Sequence, residues 1–265
     1  MTVISASLVK ELRERTGAGI MDAKRALQDT GGDLDAAGRL LREKGMASAE
    51  KRAGRATTEG KVGYRISDGH AVIVGVGCET EPVSNNEEFA AFCRKVLEAI
   101  DADGVAAPER LEEERKELSA RLGENIQVVQ PARFERIDGG TIEGYAHPPA
   151  NKLGVLVQLR GGSQELARKV AMHIAASAPY YISREDVPDE LAATERDIYL
   201  GSDEVQSKPE QAREKIVDGM LNKRFFAAQV LDEQPWIHDT AKTVGQALQE
   251  AGAEVVEFER VSLAG

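Results

Sequence analysis

The stretch KVGYRISDGHAVIVGVGCE, residues 61–79, decides the fold class. Val62, Tyr64 and Ile66 alternate with polar or small residues, and a second arm rich in valine and isoleucine follows after Ser67-Asp68-Gly69, so the stretch reads as a β-hairpin closed by a turn. Beyond it the period changes to that of a helix. Ser84-Asn85-Asn86-Glu87 has the S-x-x-E form of a capping box, and Phe89, Phe92, Cys93, Val96, Leu97 and Ile100 fall on one helical face, which predicts a helix packed on the sheet.

Working outward to the N-terminus, the first 45 residues read as three short helices, each stopped by glycine. Leu8, Val9 and Leu12 line the first, which ends at Gly17; Ile20, Ala23 and Leu27 line the second, which ends at Gly31-Gly32. The third starts at the N-cap Asp33, carries Leu34, Ala37 and Leu41, and stops at Gly45. Residues 46–60, MASAEKRAGRATTEG, have no sustained apolar face and read as a linker or a lone solvated helix at a domain boundary.

Towards the C-terminus, Pro108 opens a helix with Leu111, Leu118 and Leu122 inward, closed by Gly123. Strands resume with NIQVVQPARFERI, an Asp138-Gly139-Gly140 turn, TIEGYAH and KLGVLVQLR; Ser163 then caps a helix bearing Leu166, Val170, His173, Ile174 and Ser177. Two successive units thus each read as a strand pair followed by a helix. Residues 186–228 carry helical patterning with hardly any strand signal and suggest an inserted helical hairpin; a helix over Thr243–Gly252 and a strand in AEVVEFERVSL complete the chain. This order argues for an α+β fold over a doubly wound parallel sheet. It divides the chain into a helical domain with its linker at 1–54, a core subdomain at 55–140 and a second at 141–265 that contains the hairpin.

Hydrophobic residues make up 42% and charged residues 30% of the 265, the composition of a folded globule, and the net charge of −11 excludes a general affinity for phosphate backbones. Cys78 and Cys93 form no CxxC pair, which argues against a zinc site or a disulfide framework. No apolar run reaches membrane-spanning length, and the charged N-terminus lacks a signal-peptide core, so a reducing cytoplasm is the expected location.

No motif for chemistry emerges. His70, His147, His173 and His238 are scattered without metal-ligand spacing; His173 lies on an apolar helical face and reads as a hydrogen-bonded core residue, whereas His147, at a strand end before Pro148-Pro149, lies where exposed function is usual. There is no GxxxxGK[ST] loop and no GxSxG elbow, and Glu112-Glu113-Glu114 reads as a solvated helix face. The basic residues Arg42, Lys44, Lys51, Arg52 and Arg55, diluted by Glu43 and Glu50, read as a solvated linker able to dock on an acidic protein surface. The expectation is a protein that binds another protein and is not an enzyme, with no cofactor and no metal.

The stretch LRERTGAGIMDAKRAL, residues 12–27, closely resembles the N-terminal signature of bacterial elongation factor Ts. The resemblance continues in order through KRAGRATTEG at 51–60, GENI at 123–126, AMHIAAS at 171–177, KPEQAREKIVDGMLNKRF at 208–225 and TVGQAL at 243–248, so it covers nearly the whole chain. It implies a ubiquitin-associated-like N-terminal domain, a two-part α/β core and an inserted helical hairpin that serves dimer formation in some members. It also implies a guanine-nucleotide exchange factor that binds elongation factor Tu and helps GDP leave, with no membrane partner and no direct nucleic-acid contact.

Residue by residue, the family segment that intrudes towards the partner's magnesium site corresponds to Thr80, Glu81, Pro82 and Val83. The family usually reads T-D-F-V there, so Pro82 stands in place of an aromatic wedge and weaker or slower exchange is expected. Ile126 in GENI and His147 carry over as further partner contacts, although PPANKLG follows His147 where the family has a shorter G-x-R-I-G. Val9, Lys10, Arg13 and the corner Gly17-Ala18-Gly19 carry over as contacts to the partner's nucleotide domain. Many members continue into a further helix after the last strand; this sequence stops at Gly265, so a contact from that helix is expected to be missing. Two alternatives stand beside this reading: a divergent binder of elongation factor Tu without exchange activity, and a ribosome-associated RNA-binding protein using the basic linker.

Overall fold

The structure, a computed structural model, describes residues 4–264. Residues 1–3 and 265, with which the first and last units of the division above begin and end, lie outside the described residues. Helices α1 (Ala6–Thr16), α2 (Ile20–Asp29) and α3 (Leu34–Arg52) form a bundle around Val9, Leu12, Ala23, Ala26, Leu27 and Ala37. Ser5 and Asp33 cap α1 and α3 through side-chain oxygens, and Gly17 ends α1 in the left-handed conformation.

The third helix corrects the reading from sequence. It does not stop at Gly45 but runs on to Arg52, absorbing the first half of the expected linker. Gly45 serves packing there: a Cβ on it would lie 2.7 Å from the Cβ of Ala120 on α6 (Glu112–Leu122). The helical cost of glycine, about 1 kcal/mol relative to alanine, is accepted because only a bare Cα lets the two helices approach so closely. Arg42 to Glu117 (2.5 Å) and Lys116 to Glu50 (3.9 Å) flank that contact.

Strands β1 (Glu59–Ile66) and β2 (His70–Cys78) form the hairpin, and after α4 (Glu81–Ser84), α5 (Glu87–Asp103), a 3-10 turn (Ala107–Leu111) and α6, strand β3 (Gln127–Glu135) returns antiparallel to β2. The expected capping box is displaced by two residues: Asn86 caps α5, accepting from the N–H groups of Glu88 and Phe89, while Ser84 closes the preceding turn by donating to the Glu81 carbonyl. Beyond the Asp138-Gly139 turn, β4 (Gly140–Ala146), β5 (Leu153–Arg160), α7 (Gln164–Ser177), the hairpin helices α8 (Asp189–Gly201), α9 (Asp203–Gln206), α10 (Glu210–Met220) and α11 (Ala227–Gln229), then α12 (Val244–Glu250) and β6 (Glu254–Ser262) build a second sheet in the order β4-β5-β6. Each unit is therefore a hairpin, a helical crossover and a third strand; the third strands, β3 and β6, fall in NIQVVQPARFERI and AEVVEFERVSL, which the sequence marked as strands without assigning them to a unit.

Period-two alternation sorts the strands into layers. Val72, Val74, Val76 and Cys78 of β2 face Phe89, Phe92, Val96 and Ile100 of α5. On the opposite face, Ala71 and Ile73 meet Ile142, Leu156 and Val261 of the second sheet, and Val155, Val157 and Leu159 of β5 face Val170, Ala171 and Ile174 of α7. The core is therefore helix, sheet, sheet, helix, which is α+β. The hairpin helices gather a cluster of their own from Val205, Val217, Met220, Leu221 and Phe225.

Candidate functional site

The segment Thr80–Val83 is an exposed helical turn at the end of β2. Thr80 takes extended backbone geometry at its N-cap position, and Pro82 falls in the first turn of α4, where a missing N–H breaks no helical hydrogen bond. Thr80, Glu81 and Pro82 are exposed, while Val83 tucks against the core shared by β2 and α5. A short turn at the end of a buried strand is thus anchored at Val83 and presented at Glu81 and Pro82.

The anchor on the other side is the loop 123–126. The Glu124 carboxylate accepts the backbone N–H groups of Glu79 (3.0 Å) and Thr80 (3.1 Å) and the Thr80 hydroxyl (2.5 Å). In return the Glu79 carboxylate accepts the N–H of Asn125 at 2.6 Å. Hydrogen bonds to an ionised acceptor are about twice as strong as neutral ones, so this reciprocal pair holds the turn firmly. Asn125, fully buried, also donates its amide to the carbonyls of Ala53 (3.2 Å) and Arg55 (2.8 Å), tying the end of the N-terminal bundle to the same loop. Ile126 is fully buried among Cys78, Phe89 and Ile100, so any contribution it makes passes through the position of this loop.

His147 lies at the end of β4 with its side chain exposed, its Nδ1 2.8 Å from the Tyr145 hydroxyl. The loop after it closes on itself, Asn151 N–H donating to the His147 carbonyl at 2.9 Å and the His147 N–H to the Leu153 carbonyl at 2.8 Å. Lys61 on β1 brings this loop to the Thr80 turn: its ammonium donates to the Asn85 side-chain oxygen (3.3 Å) and to the Ala150 carbonyl (3.4 Å). Both exposed segments therefore flank one edge of the core, at β1.

The N-terminal corner is joined to the same side. A Cβ on Gly17 would lie 3.1 Å from the Cδ of Arg121, and the Arg121 guanidinium pairs at 2.8 Å with Glu88, in the first turn of the helix that follows the Thr80 turn. Lys10 and Arg13 point outward from α1, and Val9 is buried in the bundle. Next to Gly19, Ile20 and Met21 stand 58% and 66% exposed, an apolar pair that the reading from sequence assigned to the helix core face or passed over. Glu124, Asn125 and Lys61 were also not singled out; GENI pointed to the right loop, but nothing in one sequence distinguishes the carboxylate that clasps from its neighbours.

The cysteines and the buried histidine are held in environments of their own. Burial pushes both the Cys78 and the Cys93 thiols up to about 12, so neither is a nucleophile at neutral pH. His173 is fully buried, its Nε2 2.9 Å from the Gln234 side-chain oxygen and its Nδ1 accepting from the Ile237 N–H at 3.4 Å. Among the described residues no three His, Cys, Asp or Glu side chains group as a metal site, and no helix is long and apolar enough to cross a membrane.

Comparison with known proteins gives the family. The family model described as Elongation factor TS matches residues 79–264. Elongation factor Ts of Thioalkalivibrio sulfidiphilus is 43% identical over 269 residues, covering 97% of this chain and 91% of that one. The protein of the same name from Xanthomonas campestris pv. campestris is 42% identical over 274 residues, covering 98% and 92%, and that from Alkalilimnicola ehrlichii is 43% identical over 278 residues, covering 97% and 91%.

Proposed function

The chain belongs to the elongation factor Ts family of translation elongation factors, and from that premise we propose that it is a guanine-nucleotide exchange factor: it binds elongation factor Tu carrying GDP and promotes release of the nucleotide. The observation that carries this reading is the clasped turn, Thr80-Glu81-Pro82-Val83, exposed at its tip and held by Glu124 at its base. A rigid protrusion can enter a partner's nucleotide site without collapsing.

The mechanism needs no covalent step. GDP in a GTPase is held partly by magnesium bridging its phosphate oxygens. A protrusion that binds better when this shell is disturbed weakens GDP, and by linkage GDP weakens the protrusion's binding equally. A thousandfold effect corresponds to about 4 kcal/mol of differential binding. On this reading Lys10, Arg13, Gly17, Ala18 and Gly19 hold the partner's nucleotide domain while Val9, buried in the bundle, fixes α1 beneath them, His147 adds an exposed contact near the turn, and Ile126 positions the clasping loop. Residues 1–54 act as the docking domain, and 55–140 and 141–265 as the two core subdomains.

The test is release of a fluorescent GDP analogue from purified elongation factor Tu, in the presence of magnesium, with catalytic amounts of this chain. Accelerated release supports exchange. A complex on gel filtration with no acceleration would replace this reading with that of a binder lacking the exchange step.

A further inference from the structure

Between α2, α3 and the end of α6 the molecule encloses a cleft of about 930 Å³. Nine charged side chains line it, seven basic and two acidic, in a chain of net charge −11. Four of the basic seven are paired: Arg15 with Glu11 at 2.8 Å, Arg42 with Glu117 at 2.5 Å, Lys44 with Asp29 at 3.2 Å and Arg121 with Glu88 at 2.8 Å. Arg25, Lys51 and Arg52 form no ion pair among the described residues, and Arg52 reaches only the Ser119 carbonyl, at 3.4 Å. Three cations are thus held around one hollow whose one acid outside an ion pair among the described residues is Asp22, an excess of positive charge that like-charge repulsion disfavours until an anion enters.

The shape of the hollow narrows the chemistry. Small residues, among them Gly38, Ala47 and Ser48, line the hollow beside the charged ones, a Cβ on Gly38 would meet nothing within 4 Å, and no aromatic side chain lines it. The volume is that of a small-molecule site, and the negative charge of the rest of the chain opposes the approach of a long polyanion. Guanidinium forks match the oxygens of phosphoryl groups, and without an aromatic platform a base has nothing to stack on. We propose that this cleft binds a short oligophosphate chain through Arg25, Lys51 and Arg52, recognising the phosphates and not an attached nucleoside.

The experiment is calorimetric titration of the full chain with inorganic tripolyphosphate, at low ionic strength and at about 0.15 M salt, where screening of an exposed site is strong. One saturable site is expected, weaker at the higher salt. Arg25→Gln, Lys51→Gln and Arg52→Gln each weaken it, and the triple variant does so by about tenfold or more, given the strength of charge-assisted bonds. Arg94→Gln, on the exposed side of α5, leaves it unchanged. Adenosine triphosphate binds within about threefold of tripolyphosphate, since the base finds no partner. Absence of saturable binding, or binding indifferent to the single and triple variants, overturns the proposal. So does markedly tighter binding of the nucleoside triphosphate, or displacement of tripolyphosphate at lower concentration by an oligoribonucleotide or an oligoglutamate peptide. The single substitutions lie at solvated positions and keep the test readable if the triple variant is unstable.

Discussion

Glu124 and Thr80, far apart in sequence, are joined by two hydrogen bonds to one carboxylate, the Thr80 N–H at 3.1 Å and its hydroxyl at 2.5 Å. The relation makes Glu124 a positioning residue for the exposed turn. Glu124→Ala leaves the N–H groups of Glu79 and Thr80 without their acceptor and is expected to cost about 2 kcal/mol in urea unfolding, the scale of bonds to a charged group. GDP release from elongation factor Tu should slow by about tenfold, since a loosened turn loses pre-organisation. Glu124→Gln keeps one oxygen facing both N–H groups and should retain most of both properties; an alanine variant with normal exchange would detach the clasp from function.

Pro82 occupies the first turn of α4, where its ring fixes the backbone without removing a helical bond, and its side chain is exposed. Replacing it with phenylalanine therefore leaves the fold unstrained while adding an aromatic side chain of the kind that anchors interfaces. Pro82→Phe is expected to speed GDP release with a change in stability below about 0.5 kcal/mol, as for most exposed substitutions. Stopped-flow release at several magnesium concentrations checks it; an unchanged rate at every concentration means that the wedge contributes nothing here.

Much of the fold was legible because its signals are local. The alternation of Val62, Tyr64 and Ile66 and the run of Phe89, Phe92, Val96 and Ile100 each carry their own period. What failed was decided at a distance. Gly45 looks like a helix stop, and only its approach to Ala120 explains a glycine inside α3. Ser84 has the form of a cap, yet the turn begun at Thr80 consumes it and passes the cap to Asn86. For the proposed site, the resemblance marked Thr80–Val83 and His147. That their two loops lie along one edge shows only through Lys61, whose ammonium bonds Asn85 and the Ala150 carbonyl from a strand in which only the side-chain period was readable.

Gly45→Val tests the distant constraint directly. In an exposed helix the loss of glycine would be neutral or stabilising, because glycine is the poorer helix former. Here the new Cβ would meet the Ala120 Cβ at 2.7 Å, so α3 and α6 must separate. Overpacking of this kind costs about 1–3 kcal/mol, and the bundle should become more susceptible to limited proteolysis between residues 53 and 58. Combining it with Ala120→Gly should restore much of the loss, and a double variant no better than the single one would place the defect elsewhere.

The buried His173 predicts a pH dependence with a definite sign. Burial holds its pKa below the ordinary 6.5, and both ring nitrogens are engaged as the neutral tautomer requires, Nε2 with the Gln234 oxygen and Nδ1 accepting from the Ile237 N–H. A protonated Nδ1 would point a second hydrogen at that N–H. Above the unfolded value both states are neutral and the residue adds no slope; as pH falls through 6.5 the unfolded chain takes up a proton that the folded chain refuses, so stability is lost. Urea unfolding at about pH 7.5 and about pH 5.5 should show a lower midpoint in acid. Burial raises the carboxyl groups of Asp232 and Glu259, which works in the opposite direction. The comparison that isolates His173 is therefore the difference in slope between the native chain and His173→Gln. A smaller acid loss in the variant is expected whatever its stability at neutral pH, and identical slopes would mean that the ring is protonated in the folded state without cost.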